Sequence, residues 1–444
     1  MGYLTTLAIV FVAIWCCFFL LLFHYGVFAL IGVFQRKTYP KADRLLKYGV
    51  VIAARNEEAV IGPLLDSIRA NDYPQEKLVV FVIAHNCTDR TAQIARAHGA
   101  NVYEYNNPAE RTAGYAYRCL FDRISAEGAG AGLDGFFIIN ADNVLAPDYI
   151  SKMNDAFVAT GGECVITSYR NSRNFGSNYM SCLYGIYFLS ACRFEARGRT
   201  VCGCSTRVSG TGYLFHPRLV EHGWEYVTLT EDWEFTADQL ARGSKVLYCD
   251  EAEFFDEQPL TVKVMLRQRL RWARGHMIVF FTRFRELMKS LFSRENKLDG
   301  RGRFSVFDIS ASILPLGVIS VSLLLVQLGC VALCPLFGYD PGRVWRIYGL
   351  ISLALFALSY GLTMLGAVLL IFLERARIRN VGAGKLAAAV ALWPLFLLVN
   401  VFLDVAALFL RDLEWKVIPH VGAPDSERVR RRSVCERDPN KTMI

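Results

Sequence analysis

Residues 48–58 read YGVVIAARNEE, a short run of small and β-branched residues that stops at the polar cluster Arg55-Asn56-Glu57-Glu58. Such a run reads as a buried strand with its loop. From Ala59 to Ala70, Ile61, Leu64, Leu65 and Ile68 recur at helical spacing, so an amphipathic helix follows. The cycle then repeats. Residues 78–84 (LVVFVIA) read as a second buried strand, 85–89 as its loop and Thr91 to His98 as a helix. Asn101 to Tyr105 supplies a third strand, and Phe136 to Ile139 a fourth that ends in Asn140-Ala141-Asp142-Asn143. Strands alternating with helices predict an α/β fold with a doubly wound, mainly parallel sheet. In such sheets ligands bind beyond the carboxyl ends of the strands, which directs attention to the polar residues after each one.

Further along, Ala156 to Cys204 is aromatic and polar with no clear period, and only helices about Tyr179 to Arg193 are placed there. Gly210-Thr211-Gly212 forms a loop running into a short strand at Tyr213 to Phe215. Thr230-Glu231-Asp232 reads as a capping-type start to a helix over Thr228 to Arg242, with Trp233, Phe235, Leu240 and Ala241 available for packing. Lys245 to Cys249 is one more strand. Beyond it, Gln258 to Phe281 carries Gln268-Arg269-Leu270-Arg271-Trp272 just before a long hydrophobic region. Two readings fit this segment. Arg pairs with phosphate and Trp stacks on a sugar ring, which suits an anionic, sugar-bearing ligand. Alternatively, a basic amphipathic helix lies on a membrane with Arg267, Arg269, Arg271 and Arg274 meeting headgroups.

The composition, 53% hydrophobic and 20% charged over 444 residues, points to a membrane protein. No Asp, Glu, Lys or Arg occurs before Arg36, between Asp308 and Asp340, or between Arg346 and Glu374, and only Asp404 interrupts Lys385 to Arg411. Each segment is long enough to span a bilayer. The first has no basic n-region and is too long for a signal-peptide core, so it reads as a retained anchor. Arg36, Lys37, Lys41, Arg44 and Lys47 follow it, which places the N-terminus outside and residues 36–300 in the cytoplasm. Much of the net charge of +8 sits beside these spans, so membrane orientation accounts for it without a nucleic-acid partner. One span before and three after would leave the C-terminus outside, against the basic residues Arg411, Lys416 and Arg428 to Arg432; a re-entrant segment broken at Pro394 reconciles count with charge. Asp404, inside that segment, then lines a channel or caps the break. The thirteen cysteines show no zinc spacing, and Cys202 and Cys204 read as free thiols.

Asp142, an acid at the end of a strand, suits a divalent cation bridging two phosphates, or is a solvated turn residue. Asp232, preceded by Glu231 and lying after a Gly-Thr-Gly loop, suits a general base, or is a helix cap.

These landmarks come in a set order: VVIAARNEE at 50–58, AHNCTDRT at 84–91, NADN at 140–143, SGTG at 209–212, TED at 230–232 and QRLRW at 268–272. In that order, framed by spans, they resemble the family-2 glycosyltransferases, in particular the membrane-integrated processive branch of cellulose, chitin, hyaluronan and bacterial exopolysaccharide synthases. The resemblance implies a GT-A-type catalytic domain over 36–257, between an anchor at 1–35 and interfacial helices with the QxxRW sequence at 258–302. A membrane region of about three spans at 303–410 and a polar basic tail at 411–444 complete the plan. It implies a plasma-membrane enzyme that inverts a nucleotide-sugar, usually a UDP-sugar, into a β-glycoside with Mg or Mn as cofactor. Its partners would be the growing glycan or a lipid acceptor and the bilayer, with room for an accessory synthase subunit. Ala54, Glu57, His85, Asp89, Asn140 and Asp142 would face the donor, with Asp142 on the metal. Asp232, with Glu231 beside it, would be the base, and Gln268, Arg271 and Trp272 would close the acceptor side with Gly210, Thr211 and Gly212.

Three positions depart from the family pattern on the donor side. His85 stands for an Asp, Thr112-Ala113-Gly114-Tyr115-Ala116 for Gly-Lys-Gly-Tyr-Ala, and Asn140 for the first Asp of Asp-x-Asp. Each lost charge removes a contact worth about 1.5 to 3 kcal/mol when buried. Arg111 is placed to replace the missing Lys. The alternatives to processive synthesis are a single transfer to a lipid, and a donor-site-degenerate paralogue that binds glycan or a partner synthase.

Overall fold

The computed structural model describes residues 2–293 and 299–410. The tail from 411 lies outside the described residues. A long helix, α1 (Tyr3–Phe34), precedes the sheet-bearing unit. That unit begins with β1 (Tyr48–Ala54), α2 (Ile61–Arg69), β2 (Leu78–His85), α3 (Thr91–Ala97), β3 (Asn101–Tyr105) and α4 (Ala113–Ala126). It continues with β4 (Gly135–Ile138), β5 (Val144–Leu145), α5 (Tyr149–Ala159), β6 (Val165–Ser172), α6 (Tyr179–Ser190) and α7 (Arg197–Val201). β7 (Tyr213–Phe215), α8 (Glu231–Ala241) and β8 (Val246–Asp256) complete it. After these come α9 (Val262–Phe292), α10 (Gly300–Ser312), α11 (Leu316–Ala332), α12 (Pro341–Glu374) and α13 (Ala383–Phe409).

The strands form one sheet in the order β3-β2-β1-β4-β7-β6-β8-β5. Its first half is parallel, with Tyr48 of β1 opposite Leu78 of β2 and Gly135 of β4. The short β7 then runs antiparallel to both β4 and β6, so the sheet is mixed where the alternation pattern predicted it mainly parallel. β1 alternates strictly. Val50, Ile52 and Ala54 pack under α2 and α5, while Val51 faces α4 and Phe235 of α8, which gives helices on both faces. β1 lies between β2 and β4, whose connections leave in opposite directions. This is the switch point at which an α/β sheet opens a crevice at its strand ends.

The stretch without a clear period, 156–204, holds β6 as well as helices. Period 2 is masked there because Val165, Ile166, Thr167, Ser168 and Tyr169 are all buried, the signature of a two-sided interior strand. Beyond α6 the helix widens through a π-type turn at Ala191–Ala196 before α7.

Among the described residues α1, α12 and α13 are long and apolar enough to cross a membrane, and α10 with α11 makes a pair bent by 61°. The expected break at Pro394 is not there: α13 runs through it as one helix. The break falls at Pro315, which lacks the N–H a continuing helix needs and caps α11 instead. Asp404 of α13 caps that break across the interface, its carboxylate accepting from the N–H of Gly317 at 3.1 Å. Both ends of α13 are held by the sheet-bearing unit or by α9. Lys385 donates to the carbonyls of Gly176 and Ser177 at its start, and Arg274 to that of Ala407 at its end. Arg269, buried, donates to the Phe396 carbonyl at 2.7 Å and lies 3.7 Å over the Phe396 ring. The arginines of α9 expected to meet headgroups therefore point into the protein, apart from the exposed Arg267.

Candidate functional site

The crevice at the switch point is walled by the ends of β1 and β4, the starts of α4 and α8, the 207–210 loop, and α6 and α9. Two adjoining loops set its first edge. Asn56 and Asn86 adopt left-handed backbone at φ 55 and 52, a conformation Asn tolerates better than most residues. The loops are tied together: Asn56 Oδ1 accepts from Thr88 N, and Asp89 accepts from Glu58 N at 3.1 Å and Thr91 Oγ1 at 2.6 Å. The turn after β4 is locked to the 209–212 loop in the same manner. Thr211 Oγ1 donates to Asn143 Oδ1 at 2.6 Å and accepts from Asn140 N at 2.9 Å. Gly212 completes that lock at φ 69, where an added Cβ would lie 2.3 Å from the Phe254 ring.

On the far wall, Glu231 and Asp232 open α8, where the positive end of the helix dipole favours carboxylates. The expected Thr230 side-chain cap does not form: its hydroxyl is buried without a partner, and the side chain is turned against α9 at Gly275, where a Cβ would meet its methyl at 2.4 Å and its hydroxyl at 2.6 Å. That close approach brings Gln268, Arg271 and Trp272 of α9 onto the crevice. Arg271 donates to the Leu229 carbonyl at 2.7 Å and lies beside both acids. Burial pushes the Glu231 carboxyl up, with the charge of Asp232 adding and that of Arg271 opposing. Asp232 is also raised by burial, against N–H donors of Trp233 and Gly210 and the Arg271 charge. The pair thus titrates above the ordinary carboxylate range. Trp272 joins an aromatic collar, stacked with Tyr187 at 6.4 Å and edge-on to Phe188 and Tyr184.

The structure gathers Glu57, Asn140, Asp142, Gly210, Glu231, Asp232, Gln268, Arg271 and Trp272 around one crevice. Six expected residues do not line it. Ala54 points to the opposite face, and Ala53 takes its place by strand parity. His85 is buried against Tyr105 with Nε2 2.8 Å from the Glu110 carbonyl, and burial lowers its pKa, so it is a neutral ring tying loops together. Asp89 is committed to the loop latch, Thr211 and Gly212 to the turn lock. Arg111 donates through Nε to the Pro108 carbonyl at 2.6 Å.

Other wall residues were not found from sequence. Arg170 of β6 donates through Nε to Asp256 at 2.6 Å and lies 3.6 Å over the Phe188 ring. Burial, with Asp142 adding and Arg170 opposing, pushes Asp256 up to about 6. Arg207 and His276 flank Trp233, at 5.0 and 4.5 Å. Burial, with Arg207 and Arg271, pushes His276 down to about 3, so the imidazole is neutral. From Arg207 a chain of ion pairs runs through Glu195 and Arg199 to Asp308, whose Oδ1 lies 2.9 Å from Nε2 of His24 in α1. Only a signal for β6 could have exposed Arg170, and none was available in a strand buried on both faces from Val165 to Tyr169.

No group of three or more His, Cys, Asp or Glu side chains among the described residues is arranged to hold a metal ion. A single crevice carboxylate such as Asp142 could hold a hard cation that arrives with a diphosphate, since Mg²⁺ commonly takes one or two carboxylates and completes its shell with phosphate oxygens and water.

Comparison with known proteins gives the arrangement a family. Residues 46–275 match the model of "Glycosyltransferase like family 2", just over half of the chain. A probable glycosyltransferase of Bacillus subtilis, YdaM, is 26% identical over 242 residues, 53% of this chain and 56% of the relative. The beta-monoglucosyldiacylglycerol synthase of Synechocystis is 24% identical over 255 residues, 56% of this chain and 52% of the relative. The chain thus spans about half the length of the curated relatives it matches. Among solved structures, the mannosyltransferase PcManGT of Pyrobaculum calidifontis, in complex with GDP-Man and Mn²⁺, superposes with a TM-score of 0.55 at 15% identity, covering 90% of this chain and 98% of that one. That likeness establishes the fold as GT-A-like. With the matched segment running from just before β1 into α9, through every strand end that walls the crevice, the chain belongs to glycosyltransferase family 2.

Proposed function

We propose that the chain is an inverting β-glycosyltransferase that takes a sugar from a nucleotide-sugar to an acceptor held at the membrane surface. The observation that carries the reading is the meeting, in one crevice, of Asp142 at the end of β4, Asp232 at the start of α8 and the Gln268-Arg271-Trp272 face of α9. The donor's base and ribose would lie along Glu57, and its diphosphate toward Asn140 and Asp142. Asp142 would hold Mg²⁺ or Mn²⁺, which supplies charge neutralisation to the leaving diphosphate. Asp232 would take the proton of the acceptor hydroxyl as that oxygen bonds to the anomeric carbon from the face opposite the leaving group. The anomeric C–O bond to the diphosphate breaks, the nucleoside diphosphate leaves with the electron pair, and an α-linked sugar becomes a β-glycoside. Burial lifts the Asp232 pKa, which makes its ionised form a stronger base. Arg271 would balance the pair of acids and Trp272 would stack on the acceptor sugar.

The acceptor reading favoured by the geometry is a lipid that receives a single sugar. Leu353, Leu355, Phe356 and Leu358 of α12, which cover a full turn, are all exposed. These side chains suit the acyl chains among which a lipid acceptor would lie, although α12 itself does not line the crevice. Extension of a polysaccharide is supported instead by the Tyr187-Phe188-Trp272 collar, a surface on which successive sugars can stack. Product sizing separates them. Purified protein with UDP- or GDP-sugars, Mn²⁺ and membrane lipid should yield a glycolipid of one added sugar. A ladder of long products would replace that reading with processive synthesis, and no nucleotide release from any donor would sink both.

For the membrane arrangement, the bonds at both ends of α13 support a helix that lies across the base of the catalytic unit, a plasma-membrane protein with its catalytic unit and C-terminal end in the cytoplasm. A Leu410→Cys variant, with the native cysteines replaced by Ser or Ala, should then be labelled by a membrane-impermeant thiol reagent in inverted vesicles and not in intact cells; labelling of intact cells would reverse the assignment.

A further inference from the structure

We propose that the pocket where the C-terminal ends of α1 and α12 meet binds the phosphate of an anionic lipid headgroup. Four guanidinium groups, Arg36, Arg193, Arg197 and Arg377, line it with only two carboxylates, Asp250 and Glu374. Both carboxylates are already well supplied with donors. Asp250 accepts from Arg197 at 2.7 Å, and Glu374 from Arg193 and from the Tyr169 hydroxyl, each at 2.8 Å. Arg193 also donates to the Val33 carbonyl at the end of α1, at 2.8 Å. The lining therefore carries a formal excess of two positive charges, one of them that of the exposed Arg36. Its donors exceed its acceptors too, since Arg193 Nε and Arg377 Nη1 are buried without a hydrogen-bond partner.

An ion-pair cluster that served only to fasten α1 and α12 to the sheet needs the three inner arginines, whose charge is met by Asp250, Glu374 and, beside Arg377, Glu253, but has no use for the exposed Arg36 at the pocket mouth. A phosphodiester supplies negative charge to this lining, and the guanidinium fork matches its oxygens. The position selects the lipid over a soluble anion. Val33 and Phe34 end one helix apolar enough to cross a membrane, and Leu373 lies one residue from the end of another. Those ends mark the level at which headgroups lie, so acyl chains can run along the exposed sides of the helices while the phosphate enters. This site is separate from the sugar-transfer crevice and does not depend on the reading of that crevice.

The test uses full-length protein stripped of lipid in detergent and given phosphatidylcholine micelles with or without phosphatidylglycerol, read by native mass spectrometry. Phosphatidylglycerol should be retained in preference to phosphatidylcholine, and Arg36→Gln should cut retention at least fivefold. Arg44→Gln removes the same charge from the same juxtamembrane region outside the pocket and should leave retention unchanged. Equal losses in the two variants would reduce the effect to diffuse attraction and overturn the site. Displacement by millimolar inorganic phosphate, but not by chloride of equal ionic strength, would assign the pocket to a free anion. As a check on the unsubstituted protein, phosphatidylglycerol should slow amide exchange at residues 193–197 and 374–377; no local protection overturns the proposal.

Discussion

Asn140 and Asp142 stand on a turn that ends a parallel strand, whereas Asp232 and Arg271 stand on two helices that meet only because Gly275 lets α9 close onto Thr230. On the proposed reading, the donor side is shaped by the sheet and its charges, Glu57, Asp142 and Arg170, are spread along it, while Ala113 leaves the start of α4 without a cation and His85 is withdrawn into the loops. The acceptor side sets Glu231 and Asp232 next to each other with Arg271 beside both. Backbone shape is thus set by the first region, and the adjacent pair of acids with its arginine belongs to the second. On the proposed reading, donor binding and proton transfer should then be separable by mutation.

Removal of the base gives the largest expected effect. Asp232→Asn keeps the shape and the N–H contacts of the side chain but cannot take a proton, and should lower kcat by about 10²- to 10⁴-fold. The KM for the nucleotide-sugar should stay within about twofold if proton transfer belongs to the acceptor side alone. A loss under tenfold, measured by nucleotide release, would end the assignment. The matching change on the donor side is Asp142→Asn. Calorimetry should show Mn²⁺-dependent nucleotide binding weakened by about 10- to 100-fold, or roughly 1.4 to 2.8 kcal/mol, from the loss of the charged metal ligand. Unchanged binding would move the metal elsewhere.

The same division governs how much could be read from sequence. β1, β2, β3 and β4, with the helices after the first two, follow from hydrophobic periodicity because each is a local element with one pattern. Glu57, Asn140 and Asp142 follow in turn, since strand ends in such a sheet face the crevice. Ala54 was missed by one residue of strand parity. His85 and Asp89 were misplaced because a polar side chain in a loop is equally suited to a ligand and to the neighbouring loop, and the choice depends on contacts 25 and 31 residues away, those of His85 with Glu110 and Asp89 with Glu58. Arg170, Arg207 and His276 were beyond reach for a related reason. β6 is buried on both faces and shows no alternation, and the pairing of Arg170 with Asp256 joins positions 86 residues apart. The resemblance to a family located Asp232, Arg271 and Trp272; periodicity alone would have left them as a helix cap and a basic helix. Pro394 misled because a proline in a helix is a weaker break than the Leu314-Pro315 step, where Asp404 from another helix is available to cap the start of α11.

A smaller effect, in the opposite direction, tests whether the donor side is weakened or abolished. Ala113 lines the crevice at the first turn of α4, and Gly114 beside it approaches the Tyr226 carbonyl too closely to admit a Cβ. The turn therefore already has its backbone shape and lacks only the cation. Ala113→Lys should strengthen nucleotide-sugar binding by up to about tenfold, less than a full charge-assisted contact because a cation is disfavoured at a helix N-terminus. No gain in affinity would mean that the diphosphate does not approach α4, and the donor path along this wall would be withdrawn.

The finest discrimination concerns the two adjacent acids. A base must be ionised to act, so activity rises with pH through the raised pKa of the Glu231–Asp232 pair. Glu231→Gln removes one charge and leaves Arg271 to face Asp232 alone, which lowers the Asp232 pKa. The acid limb of kcat/KM should move to lower pH by about one unit, equivalent to roughly 1.4 kcal/mol of interaction. Stability should respond with a matching sign. A carboxyl whose pKa is raised on folding costs stability once pH exceeds its ordinary value, and the cost is complete above its folded value. The substitution should therefore raise the melting temperature at pH 8 more than at pH 5. A limb that stays in place, with a melting temperature lowered equally at both pH values, would make Glu231 the ion-pair partner that holds Arg271, and would leave Asp232 to act as base without it.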